Sequence, residues 1–250
     1  MILQDFFEPF LQATPACVLA RGILERLLNP SHLDELFQRI AQVQYTRSLL
    51  FSTTVELLAQ VVLGRKPSVH AAYQAMSDHL GVSATAVYDK LQNLELAVSE
   101  ALVRDSALRA RPLIEALGAV NEPWLKGYHT KLLDGNHLAA TEHRPAELRT
   151  TWAAPLPGKG LVVFDQPTGL LTHILLSADG QAQERALLPD VLPLVKAGDL
   201  WVADRNLCTF GFLFGIHARQ ACFVIRQQGT IRGTLVGKRK SRGRSPTGAV

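Results

Sequence analysis

The sequence predicts an α/β fold in which a mixed sheet follows an all-helical N-terminal region. Apolar residues recur at three-and-four spacing through about the first 120 residues, which is typical of amphipathic helices. From about Tyr128, short apolar, β-branched or aromatic runs replace that pattern. With 47% hydrophobic residues in a chain of 250, there is enough apolar material for one or two buried cores. We therefore expect a helical domain over residues 1–127 and a sheet domain over residues 128–250.

Helix-breaking residues divide the first region. An Asn-Pro-Ser motif at residues 29–31 separates two amphipathic segments, and Gly64 ends the third. Residues 68–91 have the outline of a helix-turn-helix, with a turn at Gly81 and a second helix that Ser83 can cap. Because this segment carries little positive charge, a plain helical hairpin that does not touch DNA is an equally open interpretation.

Five strand candidates follow, interleaved with two helices. The strand candidates are residues 131–134, 161–165, 170–176, 200–204 and 221–225. The sequence Gln-Pro-Thr-Gly at residues 166–169 is a strong turn signal, so the second and third candidates form an antiparallel hairpin. A helix is expected over residues 183–196, and Asn206 is expected to cap another that runs to about Ala218. This order indicates a mixed α/β sheet.

Three of these strand candidates end in aspartate, at Asp134, Asp165 and Asp204. If the first and fourth strands run parallel, Asp134 and Asp204 emerge at the same sheet edge, on strands about 5 Å apart. Two like charges at that distance repel unless a metal or a proton lies between them, and for a metal the hard carboxylate oxygens favour Mg²⁺ or Mn²⁺. Asp165 ends an antiparallel strand, so we expect it at the opposite edge as a turn residue.

Charge is distributed unevenly along the chain. Residues 205–250 contain nine Lys or Arg and no acid, whereas the first 204 residues hold 17 basic and 22 acidic residues. This asymmetry indicates a polyanionic partner at the basic end, although an isolated basic run is also typical of a solvated tail. The densest part of the run consists of Lys238, Arg239, Lys240, Arg242 and Arg244.

Nothing in the sequence directs the chain to a membrane or out of the cell. No apolar run reaches 18 residues, and the N-terminus carries Asp5 and Glu8 where a secretory signal needs positive charge. The three cysteines form no C-x-x-C pair and are too few for a disulfide scaffold. We therefore expect a cytoplasmic protein with no membrane partner.

Four stretches around the two aspartates form a pattern: residues 132–138 (Leu-Leu-Asp-Gly-Asn-His-Leu), 141–144, 147–149, and 202–206 (Val-Ala-Asp-Arg-Asn). In this pattern the chain resembles the DDE-type transposases of bacterial insertion sequences, specifically the fourth insertion-sequence family. The resemblance runs from about residue 20 to the end and includes a spacing of 70 residues between the two aspartates. It implies a ribonuclease-H-like catalytic core that follows a helical DNA-binding domain.

The resemblance also implies an activity and its residues. Asp134 and Asp204 match the first and second catalytic aspartates, and Arg205 and Asn206 match the residues that follow the second. Mg²⁺ or Mn²⁺ held by the acids would activate a water or a DNA 3′-hydroxyl against a phosphodiester, which gives both DNA cleavage and strand transfer. The implied partner is double-stranded DNA, as transposon ends and as target, and a homodimer is compatible with this. Arg205 and the basic run of residues 238–244 are the expected DNA contacts.

The chain departs from the family pattern at the third carboxylate. The family supplies that acid from a later helix with the pattern Y-x(2)-R-x(3)-E-x(6)-K, and no acid follows Asp204 here. Residues 238–244 resemble the start of the basic, β-rich insertion that precedes this helix. We therefore expect an incomplete core, a truncated transposase that does not cleave DNA alone. The alternative is a non-catalytic DNA-binding fragment that competes with full-length transposase for element ends. A glycoside hydrolase is disfavoured because aromatic residues total only 7%.

Overall fold

The computed structural model describes residues 13–44, 49–143, 156–177, 183–229 and 231. The elements that it describes ahead of the sheet are all helical, as the sequence predicts. They are α1 Pro15–Leu27, α2 Pro30–Ile40, α3 Phe51–Val62, α4 Val69–Leu80, α5 Ala84–Gln92 and α6 Leu96–Ala116. Within the described ranges, every helix is too short or too polar to cross a membrane.

Two apolar clusters hold these helices together. One joins α2, α3 and α6 and is formed by Leu33, Phe37, Phe51 and Val98. The other joins α3, α4 and α5 and contains Leu49, Leu57, Ala72, Leu80 and Val87. Each fully buried Leu or Phe side chain contributes about 1.5–3 kcal/mol relative to an exposed one. Packing of the apolar faces therefore supplies most of the stability of these short helices.

Residues 68–91 form two helices joined by a tight turn. The hydroxyl of Ser68 accepts a hydrogen bond from a backbone N–H of the first turn and begins α4. Gly81 adopts the left-handed conformation, with φ of 61°, and ends that helix. Ser83 then caps α5 in the same way as Ser68 caps α4. The predicted helix-turn-helix outline is confirmed, while contact between this segment and DNA stays a prediction.

A five-stranded mixed sheet follows the helices. Its strands are β1 His129–His143, β2 Leu156–Asp165, β3 Leu170–Ser177, β4 Asp199–Ala203 and β5 Cys222–Ile225. Their order across the sheet is β3-β2-β1-β4-β5. Strands β1, β4 and β5 run parallel, and β2 runs antiparallel to both β1 and β3. The α/β class, the antiparallel hairpin and the parallel first and fourth strands are therefore confirmed.

The connections between strands cover one face of this sheet. After β3 the chain forms a 3₁₀ turn at Glu184–Leu187, the short helix α7 at Leu188–Val191 and a second 3₁₀ turn at Leu192–Leu194. After β4 come a 3₁₀ turn at Arg205–Leu207 and helix α8 at Phe210–Ala218. These elements bury a core that includes Leu133, Leu161, Trp201, Phe212 and Ile216. The packed layer is thus built from the segments on either side of β4.

Two sequence predictions for these connections are wrong. The expected helix over residues 183–196 is divided into short turns, because Pro189 and Pro193 have no N–H to donate and their rings obstruct a continuous helix. Asn206 does not cap α8, since Thr209 Oγ1 accepts the N–H of Phe212 at 3.3 Å and fills that role. Asn206 lies instead inside the 3₁₀ turn that follows β4.

Helix α6 connects the helical region to the sheet along one of its edges. It packs against the edge strand β3, where Glu100 Oε1 accepts the backbone N–H of Leu176 at 2.7 Å. An edge strand otherwise leaves such N–H groups without a strand partner. The expected domain boundary at residue 127 falls between α6 and β1, and the division into two domains stays a prediction.

Candidate functional site

Asp134 lies within β1 and not at its end, because β1 continues to His143. Its neighbour Leu133 points into the buried core, so the alternation of a strand directs Asp134 toward the other face of the sheet. The carboxylate is exposed to solvent, and its Oδ1 accepts the backbone N–H of Gly135 at 2.9 Å. This bond uses one carboxylate oxygen.

Asp204 directly follows the last residue of β4. Its Oδ1 accepts the backbone N–H of Asn206 at 2.8 Å, a bond that begins the 3₁₀ turn. The side chain is exposed to solvent, as that of Asp134 is. The hydrogen bond from Asn206 N to the Asp204 side chain therefore helps to stabilise this turn.

The strand register places these two aspartates side by side. The last parallel pair of β1 and β4 is Leu133 with Ala203, and each aspartate is the next residue of its chain. Neighbouring strands are about 5 Å apart, and partners in a parallel register share a face. Across the described residues, the second oxygen of each carboxylate accepts no hydrogen bond. The pair therefore offers two unused oxygens at the point where β4 ends.

This pair suits a hard divalent cation in its donor chemistry. Among the residues that the structure describes, no three His, Cys, Asp or Glu side chains are arranged to hold a metal ion. Mg²⁺ in phosphate-handling sites is commonly bound by one or two carboxylates together with water and the phosphates of the substrate. Asp134 and Asp204 supply such a donor set, and the remaining ligands would come from solvent and substrate.

Asp165 lies at the other end of β1, as the sequence predicts. It ends β2 opposite Lys131 and is fully buried. It accepts from Thr168 N at 3.3 Å and from Thr168 Oγ1 at 2.5 Å, so it does form the turn. It also pairs with His129 Nε2 and, at 3.4 Å, with Arg111. This carboxylate has no oxygen left for a ligand.

The partners of Asp165 also set its ionisation. Burial by itself raises the pKa of a carboxyl group. Here hydrogen bonds from Thr168 and His129, and the charges of His129 and Arg111, outweigh burial and hold the pKa of Asp165 below its ordinary value. Asp165 is therefore an ionised group whose charge is neutralised inside the fold.

Sequence reasoning missed an acid next to the two aspartate segments, Glu184. Its carboxyl group lies over Gly135, the residue after Asp134. A Cβ at that glycine would be 2.4 Å from the Glu184 carboxyl carbon, so a larger residue at this position would displace Glu184. Glu184 Oε2 also accepts from Asn206 Nδ2 at 3.3 Å. The carboxylate of Glu184 thus contacts Gly135, which follows Asp134, and Asn206, which lies two residues after Asp204.

Arg185, the residue after Glu184, makes a second contact with Asn206. Its Nε donates to the carbonyl oxygen of Asn206 at 2.6 Å. The local sequence held one signal of this arrangement, since a glycine inside a strand often marks a close approach of another group. Gly135 was such a glycine, but nothing in the sequence identified Glu184 as the group that approaches it.

The predicted DNA contacts are only partly within the described residues. Arg205 is exposed in the turn next to Asp204. The basic run of Lys238, Arg239, Lys240, Arg242 and Arg244 lies outside the described residues. Among these predicted contacts, Arg205 is therefore the one whose place beside the aspartate pair the structure gives.

No model of a known protein family matches the sequence, and no curated protein matches it either.

Proposed function

We propose that the chain is a DNA transposase of the type that acts by metal-dependent phosphodiester cleavage and strand transfer, and that by itself, with two of the three acids, it binds DNA without cleaving it. The observation that carries this proposal is that Asp134 and Asp204 each follow directly on Leu133 and Ala203, the last pair between the parallel strands β1 and β4. The strand order β3-β2-β1-β4-β5, with β2 antiparallel to its neighbours, is compatible with a ribonuclease-H-like core. The resemblance of residues 132–138 and 202–206 to DDE-type transposases adds support from the sequence.

The residues of the site have separable roles in this chemistry. Asp134 and Asp204 would hold Mg²⁺ or Mn²⁺, which supplies positive charge to polarise a phosphate and acidify a bound water. The bond from Asn206 N to Asp204 restrains the second carboxylate. Arg205 presents a guanidinium next to Asp204, and its parallel N–H groups suit two oxygens of one phosphate. The site thus combines cation binding with phosphate binding.

The basic C-terminal region fits DNA as the partner. Residues 205–250 carry nine basic side chains and no acid, so they would neutralise backbone phosphates whatever the base sequence. We expect deletion of residues 237–250 to weaken duplex binding at all sequences alike and to flatten its salt dependence by about one unit for each lost phosphate contact. Such a protein would act in the cytoplasm, where its DNA substrate lies.

Gel shifts with duplex DNA, with and without Mn²⁺, test the proposal. The full chain is compared with Asp134→Asn and Asp204→Asn, and Asp190→Asn is the control because Asp190 is an exposed acid on α7. We expect Mn²⁺ to strengthen DNA binding by the wild-type chain and by the control. Neither site variant should respond, because each lacks one of the two carboxylates.

Three other outcomes would contradict part or all of these expectations. DNA binding that is equally strong with and without Mn²⁺ in every variant would favour the non-catalytic DNA-binding fragment. Failure of the wild-type chain to bind DNA would exclude both functions. Nicking of supercoiled DNA that Asp134→Ala abolishes would show that these residues suffice for cleavage, and the expected inactivity of the isolated chain would be wrong.

A further inference from the structure

Two consecutive side chains after β3 reach across to the turn that follows β4. Glu184 accepts a hydrogen bond from the side-chain amide of Asn206 at 3.3 Å, and Arg185 donates to the backbone carbonyl of the same residue at 2.6 Å. Asp204 accepts the N–H of Asn206 at 2.8 Å. Asn206 is therefore held at its amide side chain, its carbonyl and its N–H, by three different residues.

Glu184 also contacts β1. Its carboxyl atoms lie 2.4–2.6 Å from the position that a Cβ of residue 135 would take, which only glycine leaves open. Gly135 in turn donates its N–H to Asp134. Glu184 thus lies between the residue that binds the Asp134 carboxylate and the residue that binds the Asp204 carboxylate.

This contact is located just past the last pair of residues that joins β1 to β4. The parallel pairing of β1 with β4 ends at Leu133 and Ala203. Beyond that pair, the two segments that carry Asp134 and Asp204 are no longer in register with each other, while Asp134 and Gly135 remain paired with β2. The Glu184 carboxylate connects the two segments at Gly135, one residue after Asp134, and at Asn206, two residues after Asp204.

We propose that Glu184 is a positioning residue, which with Arg185 fixes the separation of Asp134 and Asp204 so that the pair binds a divalent cation. This inference rests on the proposed function, because it requires a metal-binding aspartate pair. Glu184 acts as a hydrogen-bond acceptor and a spacer, and not as a third ligand, since the described residues hold no group of three acids arranged to bind a metal. A glutamine can supply the same acceptor and nearly the same shape.

The test is the affinity of the full chain for Mn²⁺, measured from the EPR signal of free Mn²⁺. We expect Glu184→Gln to bind Mn²⁺ within about threefold of the wild type, because glutamine keeps the acceptor and the shape, and the charge of a partly exposed carboxylate that does not touch the cation is screened by solvent. Glu184→Ala removes the acceptor and the spacer, and we expect its affinity to fall at least about tenfold.

A glycine substitution provides a second variant that changes no charge. Gly135→Ala forces the flexible Glu184 side chain away from β1, so its Mn²⁺ affinity should also fall about tenfold. Gly211→Ala is the matched control, since nothing lies within 4 Å of the Cβ that it adds, and its affinity should equal that of the wild type. Because the displaced group is the end of a side chain, Gly135→Ala should remain folded.

The outcomes separate this proposal from the proposed function. If Glu184→Gln loses as much affinity as Glu184→Ala, the charge of Glu184 holds the cation directly and the positioning role is wrong. If Glu184→Ala and Gly135→Ala both bind like the wild type, the positioning role is also wrong. If Asp134→Asn leaves Mn²⁺ binding unchanged, it is the metal-binding aspartate pair, and with it the proposed function, that fails.

Discussion

Two places along β1 have aspartates of opposite character, one opposite Lys131 near the start of the strand and one at Asp134 in its interior. At the His129 end, Asp165 is buried and accepts hydrogen bonds from a threonine, a histidine and an arginine. Farther along β1, Asp134 and the neighbouring Asp204 are exposed, and each uses one oxygen for a backbone N–H. A carboxylate whose oxygens are all engaged stabilises the fold, whereas one with a free oxygen can bind a ligand. The contrast gives Asp165 a structural role, while the function that we propose for Asp134 and Asp204 stays a proposal.

The largest expected effect is on stability and concerns Asp165. Asp165→Ala leaves His129, Arg111 and Thr168 without their shared acceptor, and we expect a loss of about 2–3 kcal/mol in the free energy of unfolding. Asp134→Ala removes one exposed bond to a backbone N–H and should change stability far less. Urea unfolding monitored by circular dichroism measures both. Equal losses of unfolding free energy in Asp165→Ala and Asp134→Ala would contradict the contrast between the buried Asp165 and the exposed Asp134.

The pH dependence of stability should also come from Asp165. The pKa of Asp165 is lower in the folded chain than in the unfolded chain, where it is about 3.9. The stabilisation is therefore complete above about pH 4 and is lost as the pH falls through the lower folded value. Asp165→Asn should show a shallower acid-induced decrease of the unfolding midpoint than the wild type. Asp134→Asn should follow the wild-type curve, and a shallower curve for that variant would contradict the assignment.

A bound metal ion should stabilise the fold through Asp134 and Asp204, and not through Asp165. With Mn²⁺ at ten times its dissociation constant, binding to the Asp134 and Asp204 pair should raise the free energy of unfolding by about 1.4 kcal/mol. Asp204→Asn should abolish this increase, and Arg111→Ala, at the Asp165 end, should retain it. Thermal melts with a titration of Mn²⁺ provide the measurement. An increase that survives in Asp204→Asn would place the cation elsewhere.

The smallest expected effect concerns Arg111, the partner whose contact with Asp165 is the longest. Arg111 pairs with it at 3.4 Å, and the arginine side chain is 38% exposed. Solvent screening reduces such a pair, so Arg111→Ala should cost no more than about 1 kcal/mol. A loss as large as that of Asp165→Ala would show that the arginine, and not Thr168 and His129, keeps the buried carboxylate ionised. The comparison of the two unfolding midpoints decides this.

Local signals were sufficient to predict the strand arrangement. The turn at residues 166–169 indicated the hairpin, and a helical crossover of sufficient length made the first and fourth strands parallel. The structure confirms the antiparallel hairpin and the parallel pairing, which ends at Leu133 and Ala203, directly before the two aspartates, and it places Asp165 opposite Lys131. The functional meaning of the aspartate pair and the family resemblance stay predictions.

Contacts distant in sequence could not be predicted in the same way. Glu184 reaches Gly135 only because the segment after β3 folds over the sheet, and that path depends on the packing of Leu188 and Val191 in the core. The start of α8 was misassigned for a local reason. Asn206 and Thr209 are both good capping residues, and the bond from Asn206 N to Asp204 leaves the capping role to Thr209.

The position of α6 along β3 also bears on how the chain behaves in concentrated solution. An uncovered edge strand is a template on which a strand of another molecule can pair, and repeated pairing of this kind leads to aggregation. Glu100 occupies the N–H of Leu176 on that edge, and its negative charge would repel an incoming carbonyl oxygen. The last helix of the N-terminal region therefore protects the sheet from intermolecular β-pairing at β3.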